Sequence, residues 1–176
     1  MDILALSGSL RAASENTRVL RAAARLAPPH MRVAVYPGLG ELPLFNPDVE
    51  FPSPPAVAAL RAAINAADAV VIASPEYAHG VSAVIKNALD WMVGNESFVN
   101  KPVALVNAAP RATHAYLALR ETVTMMSARV INAACITLPQ PVTGMTEQEI
   151  AQHPQHAAML ASMLEALAVA ACKEES

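Results

Sequence analysis

The chain has 176 residues, of which 54% are hydrophobic and 15% are charged, and its formal net charge is −3. This length suits a single domain with a substantial core, and the apolar content excludes intrinsic disorder. The small net charge provides no electrostatic basis for binding nucleic acid or an anionic membrane surface.

The amino terminus and the cysteines predict a cytoplasmic location. Asp2 follows Met1 directly, so no basic stretch precedes an apolar one as it would in a secretory signal. No apolar run approaches the roughly 20 residues that a membrane span requires, and we therefore expect no membrane segment. The two cysteines, Cys135 and Cys172, are far apart, which is typical of reduced thiols in the cytosol.

Apolar runs alternate with helical patterns along the chain. The runs predict five buried strands, at 2–7, 31–37, 68–74, 101–109 and 129–139. We expect the last of these strands to be bulged or broken near Asn132. Helical spacing predicts five helices, at 16–26, 57–67, 84–94, 112–128 and after Pro154. The Pro-rich connection 38–55 is long enough to suggest a function.

Five strands alternating with five helices imply an α/β fold in which a parallel sheet is covered on both faces. No repeat or linker interrupts the pattern, so residues 1–176 are predicted to form one domain. Ligands of such folds bind outside the carboxyl ends of the strands. The loops at those ends are 7–14, 37–48, 74–80 and 107–114.

The first of these loops, "SGSLRAASENT" at 7–17, leads into a helix. A helix amino terminus offers free N–H groups and a partial positive charge, so a phosphate can dock there without a metal ion. The side chains that can add to such a site are Ser9, Arg11, Ser14, Asn16 and Thr17. The alternative is that Ser14 only caps the helix and Arg11 lies on the surface. Neither G-x-x-x-x-G-K-[ST] nor G-x-G-x-x-G is present, which argues against a P-loop and a dinucleotide fold.

The loop "SPEYAHG" at 74–80 follows the third strand. Pro75 ends the strand hydrogen bonding, so the following backbone is free to hydrogen-bond a flat polar heterocycle. Tyr77 supplies an aromatic wall, and Gly80 allows the chain to pass close to a ligand. A polar surface loop without a ligand is the alternative.

Three segments of the chain, in their residues, order and spacing, resemble those of the NAD(P)H-dependent FMN reductase family. This family of flavodoxin-like proteins includes chromate and quinone reductases. The three segments are "GSLRAASENT" at 8–17, "LPLFNPD" at 42–48 and "SPEYAHGVSAVIKNALDW" at 74–91. The resemblance covers the chain to about residue 130. It implies a three-layer sandwich with a five-stranded sheet of order 2-1-3-4-5 and FMN at the switch point. It also implies a homodimer or homotetramer with flavin sites near the interface.

The resemblance also assigns residues to the cofactor. The FMN phosphate would be held by Ser9, Arg11, Ser14, Asn16 and Thr17. The ring and ribityl chain would be lined, largely through backbone, by Pro75, Glu76, Tyr77 and Ala78. The helix that carries Lys86, Asn87, Asp90 and Trp91 resembles the family's dimer-contact helix. The chain departs from the family at Ser82-Ala83, where Pro-Gly is common, and in the loop 107–115, which has no glycine.

Several side chains have two interpretations. Glu76 resembles a general base, but we favour a structural role because hydride transfer between nicotinamide and flavin needs no protein base. His79 either contacts the flavin edge or is a solvated loop residue. His153 and His156 are expected to form an exposed pair and not a metal site.

Two further groups of residues are candidates for the site. Tyr116, Leu117, Met125 and Met126 would form either an acceptor pocket or ordinary packing. Phe45, Asn46 and Asp48 would either close over a neighbouring flavin or belong to a rigid surface connection.

The leading hypothesis is an oxidoreductase that contains FMN and takes a hydride from NADPH or NADH. The flavin would pass electrons through N5 to a small-molecule acceptor: a quinone, an azo compound, a metal oxyanion or a free flavin. No catalytic side chain is predicted, because the cofactors carry the chemistry. The alternatives are a flavodoxin-like electron carrier, which the modest charge disfavours, and a flavin-binding regulatory domain.

Overall fold

A computed structural model describes residues 1–172, and it contains a parallel sheet between two layers of helices. The strands are β1 (Asp2–Ser7), β2 (Arg32–Val35), β3 (Ala69–Ala73), β4 (Glu76–Tyr77), β5 (Gly80–Val81), β6 (Pro102–Asn107), β7 (Arg129–Val130) and β8 (Ile136–Thr137). The order in the main sheet is β2-β1-β3-β6-β7, and β8 also pairs with β6. The predicted flavodoxin-like order of five parallel strands is therefore confirmed. The strands β4 and β5 form a separate hairpin.

The helices are α1 (Glu15–Leu26), α2 (Pro55–Ala66), α3 (Ala83–Val93), α4 (Thr113–Met125), α5 (Glu147–Gln152) and α6 (Pro154–Cys172). One face of the sheet packs against α1, α5 and α6, and the other packs against α2, α3 and α4. Four short 3-10 turns complete the described chain; two of them lie in the Pro-rich connection, at Gly38–Glu41 and Pro47–Val49.

The sheet is buried on both sides because its strands are apolar at successive positions. In β1, Ile3 and Ala5 belong to one core, whereas Leu4 and Leu6 belong to the other. Successive side chains of a strand point to opposite faces, so a continuous apolar run fills both layers. All residues of β3 and β6 are buried. This places both strands at the centre of the sheet.

The fifth strand is interrupted, as predicted near Asn132. Val130 pairs with Val103, and Ile136 pairs with Val106. The segment 130–136 is therefore longer than the segment 103–106 of β6 beside which it runs. The extra residues form a 3-10 turn at Asn132–Ala134. The second piece of the strand therefore reaches the carboxyl end of β6.

Helix α6 corrects one expectation. By length and composition it is long and apolar enough to cross a membrane, whereas no such segment was expected. Its buried side chains follow one stripe, and they pack into the core beside α1: His156, Leu160, Met163, Leu164 and Leu167. This stripe leaves 33% of the apolar window buried, so in this fold α6 packs against the core along one side.

The expected exposed pair of histidines is wrong. His156 is fully buried, because it occupies the first position of the apolar stripe of α6. Its ring stacks on that of His153, with centroids 4.2 Å apart. Neither ring nitrogen of His156 makes a hydrogen bond of good geometry, although the Gln140 backbone lies near the ring. Burial, followed by the neighbouring His153, lowers the pKa of His156, and the Gln140 backbone opposes this shift only in part. Within residues 1–172 no group of three or more metal-ligating side chains occurs.

This burial predicts a pH-dependent stability. Because the folded-state pKa of His156 lies below its ordinary value of 6.5, the unfolded chain binds the proton more readily. The free energy of unfolding should therefore fall as the pH drops from about 6.5 through the lowered pKa. His156→Leu should flatten this part of the curve, whereas replacing the exposed His30 with Gln should not. Urea unfolding at a series of pH values measures the effect, and parallel curves for all three proteins would contradict it.

Candidate functional site

Two of the predicted loops meet at the carboxyl edge of the sheet: the loop 7–17, called the first loop, and the loop 74–80, called the second loop. The glycine-free loop 107–115, which follows the fourth predicted strand, is called the fourth loop. Gly8, which follows β1, donates its N–H to the carbonyl of Ala73 at the end of β3 (2.8 Å). A Cβ atom on Gly8 would lie 2.5 Å from Ser82 Oγ and 3.0 Å from Pro75 Cδ. Real Cβ atoms do not approach so closely, so glycine is required there. The two loops are consequently held in direct contact.

The amino terminus of α1 faces this contact. Ser14 is buried and caps the helix, since its Oγ accepts the N–H of Thr17 at 3.2 Å. In the described chain, the N–H groups of Glu15 and Asn16 have no protein acceptor. Helices leave these first donors free for a ligand or water. Ser14 therefore caps the helix, as the alternative interpretation held. Because its Oγ only accepts in this cap, its hydroxyl hydrogen can still be donated to a ligand.

Other side chains of the first loop are also positioned for an anion. The hydroxyls of Ser7 and Thr17 lie 2.7 Å apart, and Ser9 Oγ accepts the N–H of Arg11 at 3.4 Å. Asn16 is buried, and its Oδ1 has no hydrogen-bond partner. Its amide can turn to present the NH2 group instead, which is a donor that a phosphate oxygen would satisfy.

Arg11 extends from this loop with an exposed side chain. None of the ion pairs among the described residues includes it. An unpaired guanidinium and free helix N–H groups are donors of the kind that a phosphate group requires. The first loop therefore fits the phosphate of FMN.

The second loop is a β-hairpin, which the sequence analysis did not predict. Tyr77 pairs with Gly80, and the two residues between them form the turn. Ala78 and His79 have φ angles of 49° and 61°, the left-handed conformation of a type I′ turn. Residues other than glycine adopt this conformation at a cost of about 1–2 kcal/mol each. The strained positions are therefore Ala78 and His79, whereas Gly80 pairs with Tyr77 in the hairpin.

Tyr77 and His79 project from this hairpin. The side chain of Tyr77 is 62% exposed, so its ring is available to cover a ligand. His79 stacks on His114 of the fourth loop, with centroids 4.1 Å apart and 15° between the planes. His79 is therefore an exposed side chain whose ring is held against that of His114.

Glu76 connects the hairpin to the fourth loop. Its Oε2 accepts the N–H of Ala115 at 2.8 Å, in the first turn of α4. That helix begins after Ala112, which offers no side-chain cap. Glu76 replaces the missing cap, which satisfies one of the free donors. This contact is the structural role that the sequence analysis favoured.

The glycine-free fourth loop is organised by Asn107, a residue that the sequence analysis missed. Asn107 is buried, its Nδ2 donates to the carbonyl of Ala112 at 3.0 Å, and its Oδ1 accepts the N–H of Ala109 at 3.1 Å. An Asn at a strand end followed by a short polar loop is a known signal for such a side-chain turn. The amide therefore gives the loop a fixed shape without glycine.

A cavity of about 500 Å³ opens beside the first loop. It is lined by Ser9, Arg11 and Thr17, and it continues between α1 and β2 towards Arg21 and Tyr36. None of the residues 74–80 lines it. The cavity thus shares the phosphate end of the site and extends away from the hairpin.

The predicted acceptor pocket on α4 is not formed by its four residues together. Leu117 and Met125 are 62% and 74% exposed. Tyr116 is half-buried beside Cys135, and burial, followed by Cys135, raises the pKa of Tyr116 to about 12. A neutral phenol in this position packs against the core of α2, α3 and α4.

The Pro-rich connection is fixed to α3. The side chain of Asn87 accepts the N–H of Phe45 at 2.8 Å and donates to the carbonyl of Pro43 at 2.9 Å. The indole of Trp91 donates to the same carbonyl at 2.8 Å, and the ring of Phe45 packs edge-on against it. Asn46 caps only the adjacent 3-10 turn. The connection is thus attached to α3 at Pro43 and Phe45.

Comparison with known proteins identifies the class. Residues 1–143 match the family model described as NADPH-dependent FMN reductase. An NAD(P)H-dependent FMN reductase of Pseudomonas aeruginosa is 36% identical over 138 residues, which are 75% of this chain and 74% of that protein. A quinone reductase of Escherichia coli is 37% identical over 109 residues, 60% of this chain and 58% of that protein.

The solved structures agree in fold. FerB, a flavoenzyme NAD(P)H:(acceptor) oxidoreductase from Paracoccus denitrificans, aligns with a TM-score of 0.79 at 23% identity, over 98% of this chain and 97% of that one. A flavodoxin mutant from Pseudomonas aeruginosa aligns with a TM-score of 0.57 at 15% identity, over 93% and 99%. The chain therefore has the flavodoxin-like fold and belongs to the NADPH-dependent FMN reductase family. It is an oxidoreductase whose cofactor is FMN and whose reductant is NAD(P)H.

The cap on α4 yields a prediction that separates structure from catalysis. Glu76→Ala should lower the free energy of unfolding by about 0.5–2 kcal/mol because it removes the cap. Glu76→Gln should recover most of this loss, because the amide oxygen still accepts the Ala115 N–H. Both variants should keep the rate of flavin reduction by NADPH, measured by stopped-flow absorbance. A large loss of rate with unchanged stability would show that Glu76 is a general base instead.

Proposed function

We propose that the protein binds FMN across the first and second loops and transfers reducing equivalents from NAD(P)H to small-molecule acceptors. The acceptors we favour are quinones, followed by azo compounds, metal oxyanions and free flavins. The observation that carries this proposal is the contact of Gly8 with Pro75 and Ser82, which brings a phosphate-binding loop and an aromatic hairpin side by side.

The first loop supplies the phosphate contacts in this proposal. The N–H groups at the start of α1 and the guanidinium of Arg11 supply positive charge to the phosphate. Ser9, Ser14 and Thr17 supply hydroxyls, and Asn16 turns its buried amide towards the phosphate. No metal ion is required, because the donors are already present in the chain.

The second loop supplies the ring contacts. The backbone of Pro75, Glu76, Ala78 and His79 faces the flavin edge, and Tyr77 covers one side. FMN, when bound, supplies the hydride-accepting chemistry of the site. The protein residues hold the ring in a fixed plane and leave its open face to the nicotinamide, so that the donor and acceptor atoms approach in the right geometry.

A flavin spectrum of the purified protein tests this function, followed by anaerobic titration with NADPH and with NADH. The proposal predicts bound FMN whose visible absorbance bleaches on addition of the reduced nucleotide, followed by reoxidation on addition of a small quinone. Protein that stays colourless after incubation with FMN would refute it. Tight binding without bleaching would favour a regulatory domain, and bleaching only with a separate reductase would favour an electron carrier.

The phosphate contact can be tested at one residue. Arg11→Ala should weaken FMN binding by about 1.5–3 kcal/mol, because the variant loses a charge-assisted hydrogen bond. The matched control is Arg32→Ala, since Arg32 pairs with Asp2 at the opposite end of the sheet. Titration of apoprotein with FMN, followed by flavin fluorescence, measures both. An unchanged FMN affinity in Arg11→Ala would contradict the assignment.

We also propose that the protein is a cytoplasmic homodimer or homotetramer, as the family resemblance implies. The Pro-rich connection, which is attached to α3 at Pro43 and Phe45, supports this assembly. Leu44 and Phe51 project from it with side chains 83% and 82% exposed. Large exposed apolar side chains close together on one loop are typical of an interface between chains.

Sedimentation equilibrium tests the assembly. The particle mass should be two or four times 18.5 kDa at micromolar concentration. Leu44→Asp should shift the mass towards the monomer, because a charge would be buried in the interface. Replacing the exposed Val169, which lies on α6, with Asp is the control. A monomeric wild-type protein would contradict this proposal.

A further inference from the structure

The cavity beside the first loop is larger than the FMN phosphate needs. Its volume of about 500 Å³ lies within the range of about 300–1,000 Å³ for small-molecule sites. We propose that its extension between α1 and β2 takes the adenosine-phosphate half of FAD, so that the protein binds FAD as well as FMN. This inference rests on the proposed function, which places the flavin phosphate at the first loop.

The charges of the cavity fit a second phosphate. Its lining contains two arginines, Arg11 and Arg21, and no acidic side chain among the described residues. Arg21 makes one long ion pair among the described residues, in which its Nη1 lies 4.0 Å from Glu147 Oε2. Arg25 binds the same carboxylate more closely, because its Nη2 and Nε donate to Glu147 Oε1 at 2.5 and 3.0 Å. The guanidinium of Arg21 therefore remains available to an anion.

The walls of the extension fit a flat base. Val33 and Val35 of β2 and Ala24 of α1 form an apolar surface, and Tyr36 adds an aromatic ring. A Cβ on Gly40 would lie 3.1 Å from the side chain of Leu10, so Leu10 bridges the first loop and the 3-10 turn after β2. An adenine ring requires apolar and aromatic walls of this kind, with few polar groups.

The position of the cavity distinguishes FAD from a separate nucleotide. Ser9, Arg11 and Thr17 line the same cavity as Arg21 and Tyr36, so a ligand joined to the flavin phosphate can enter it without a break. A free NADPH in this place would set its phosphates beside the FMN phosphate, and like charges at such separation repel. The covalently joined adenosine phosphate of FAD avoids a second independent binding event.

The test compares FMN and FAD on protein stripped of flavin, by quenching of flavin fluorescence. We expect FAD to bind at least as tightly as FMN. Arg21→Ala should weaken FAD about tenfold and FMN less than about twofold, because only FAD reaches Arg21. Arg25→Ala is the matched control, since Arg25 lies one turn further along α1 and does not line the cavity.

A steric variant provides a second readout. Ala24→Leu keeps a strong helix former but fills the extension, so it should weaken FAD and leave FMN unchanged. If FAD binds more than about tenfold weaker than FMN, and Arg21→Ala changes both equally, the inference is wrong. A raised KM for NADPH in FMN-loaded Arg21→Ala would overturn the FAD assignment and indicate that the cavity binds NADPH instead. If neither flavin binds, the proposed function itself fails.

Discussion

The site depends on the missing side chain of Gly8. The end of β1 lies directly against Pro75 and Ser82, with no room for even a methyl group. The N–H of Gly8 also bonds the last carbonyl of β3, so the register of the two central strands fixes the distance between the loops. The first loop leads into the amino terminus of α1, and the second loop forms the hairpin. The spacing of these two loops therefore sets the distance between the proposed phosphate contacts and the proposed ring contacts.

Three polar residues of the surrounding loops make structural contacts. Glu76 caps α4, Asn107 shapes the fourth loop, and His79 stacks on His114. The left-handed turn at Ala78 and His79 concentrates backbone strain at the hairpin, where a ligand is proposed to bind. Such an arrangement suits a cofactor that carries its own chemistry, because the protein then has only to position it.

Most of the fold could be predicted from sequence, because the buried strands and helices have clear apolar periods. Even the break near Asn132 was anticipated. The hairpin was missed because two-residue strands carry no period, and Ala-His is an uncommon type I′ turn. His156 was misplaced because a histidine was taken as polar, although its spacing from Leu160 matched the buried stripe. The cavity between α1 and β2 involves residues distant in sequence, so no local pattern indicated it.

The central claim is that one flavin spans both loops, with its phosphate on the first. Comparing the affinities of FMN and riboflavin for the flavin-free protein tests this most directly, since the two ligands differ only in the phosphate. The account predicts that FMN binds more tightly by at least about 3 kcal/mol, because several donors, one of them charged, would contact the phosphate. Equal affinities for FMN and riboflavin would contradict it.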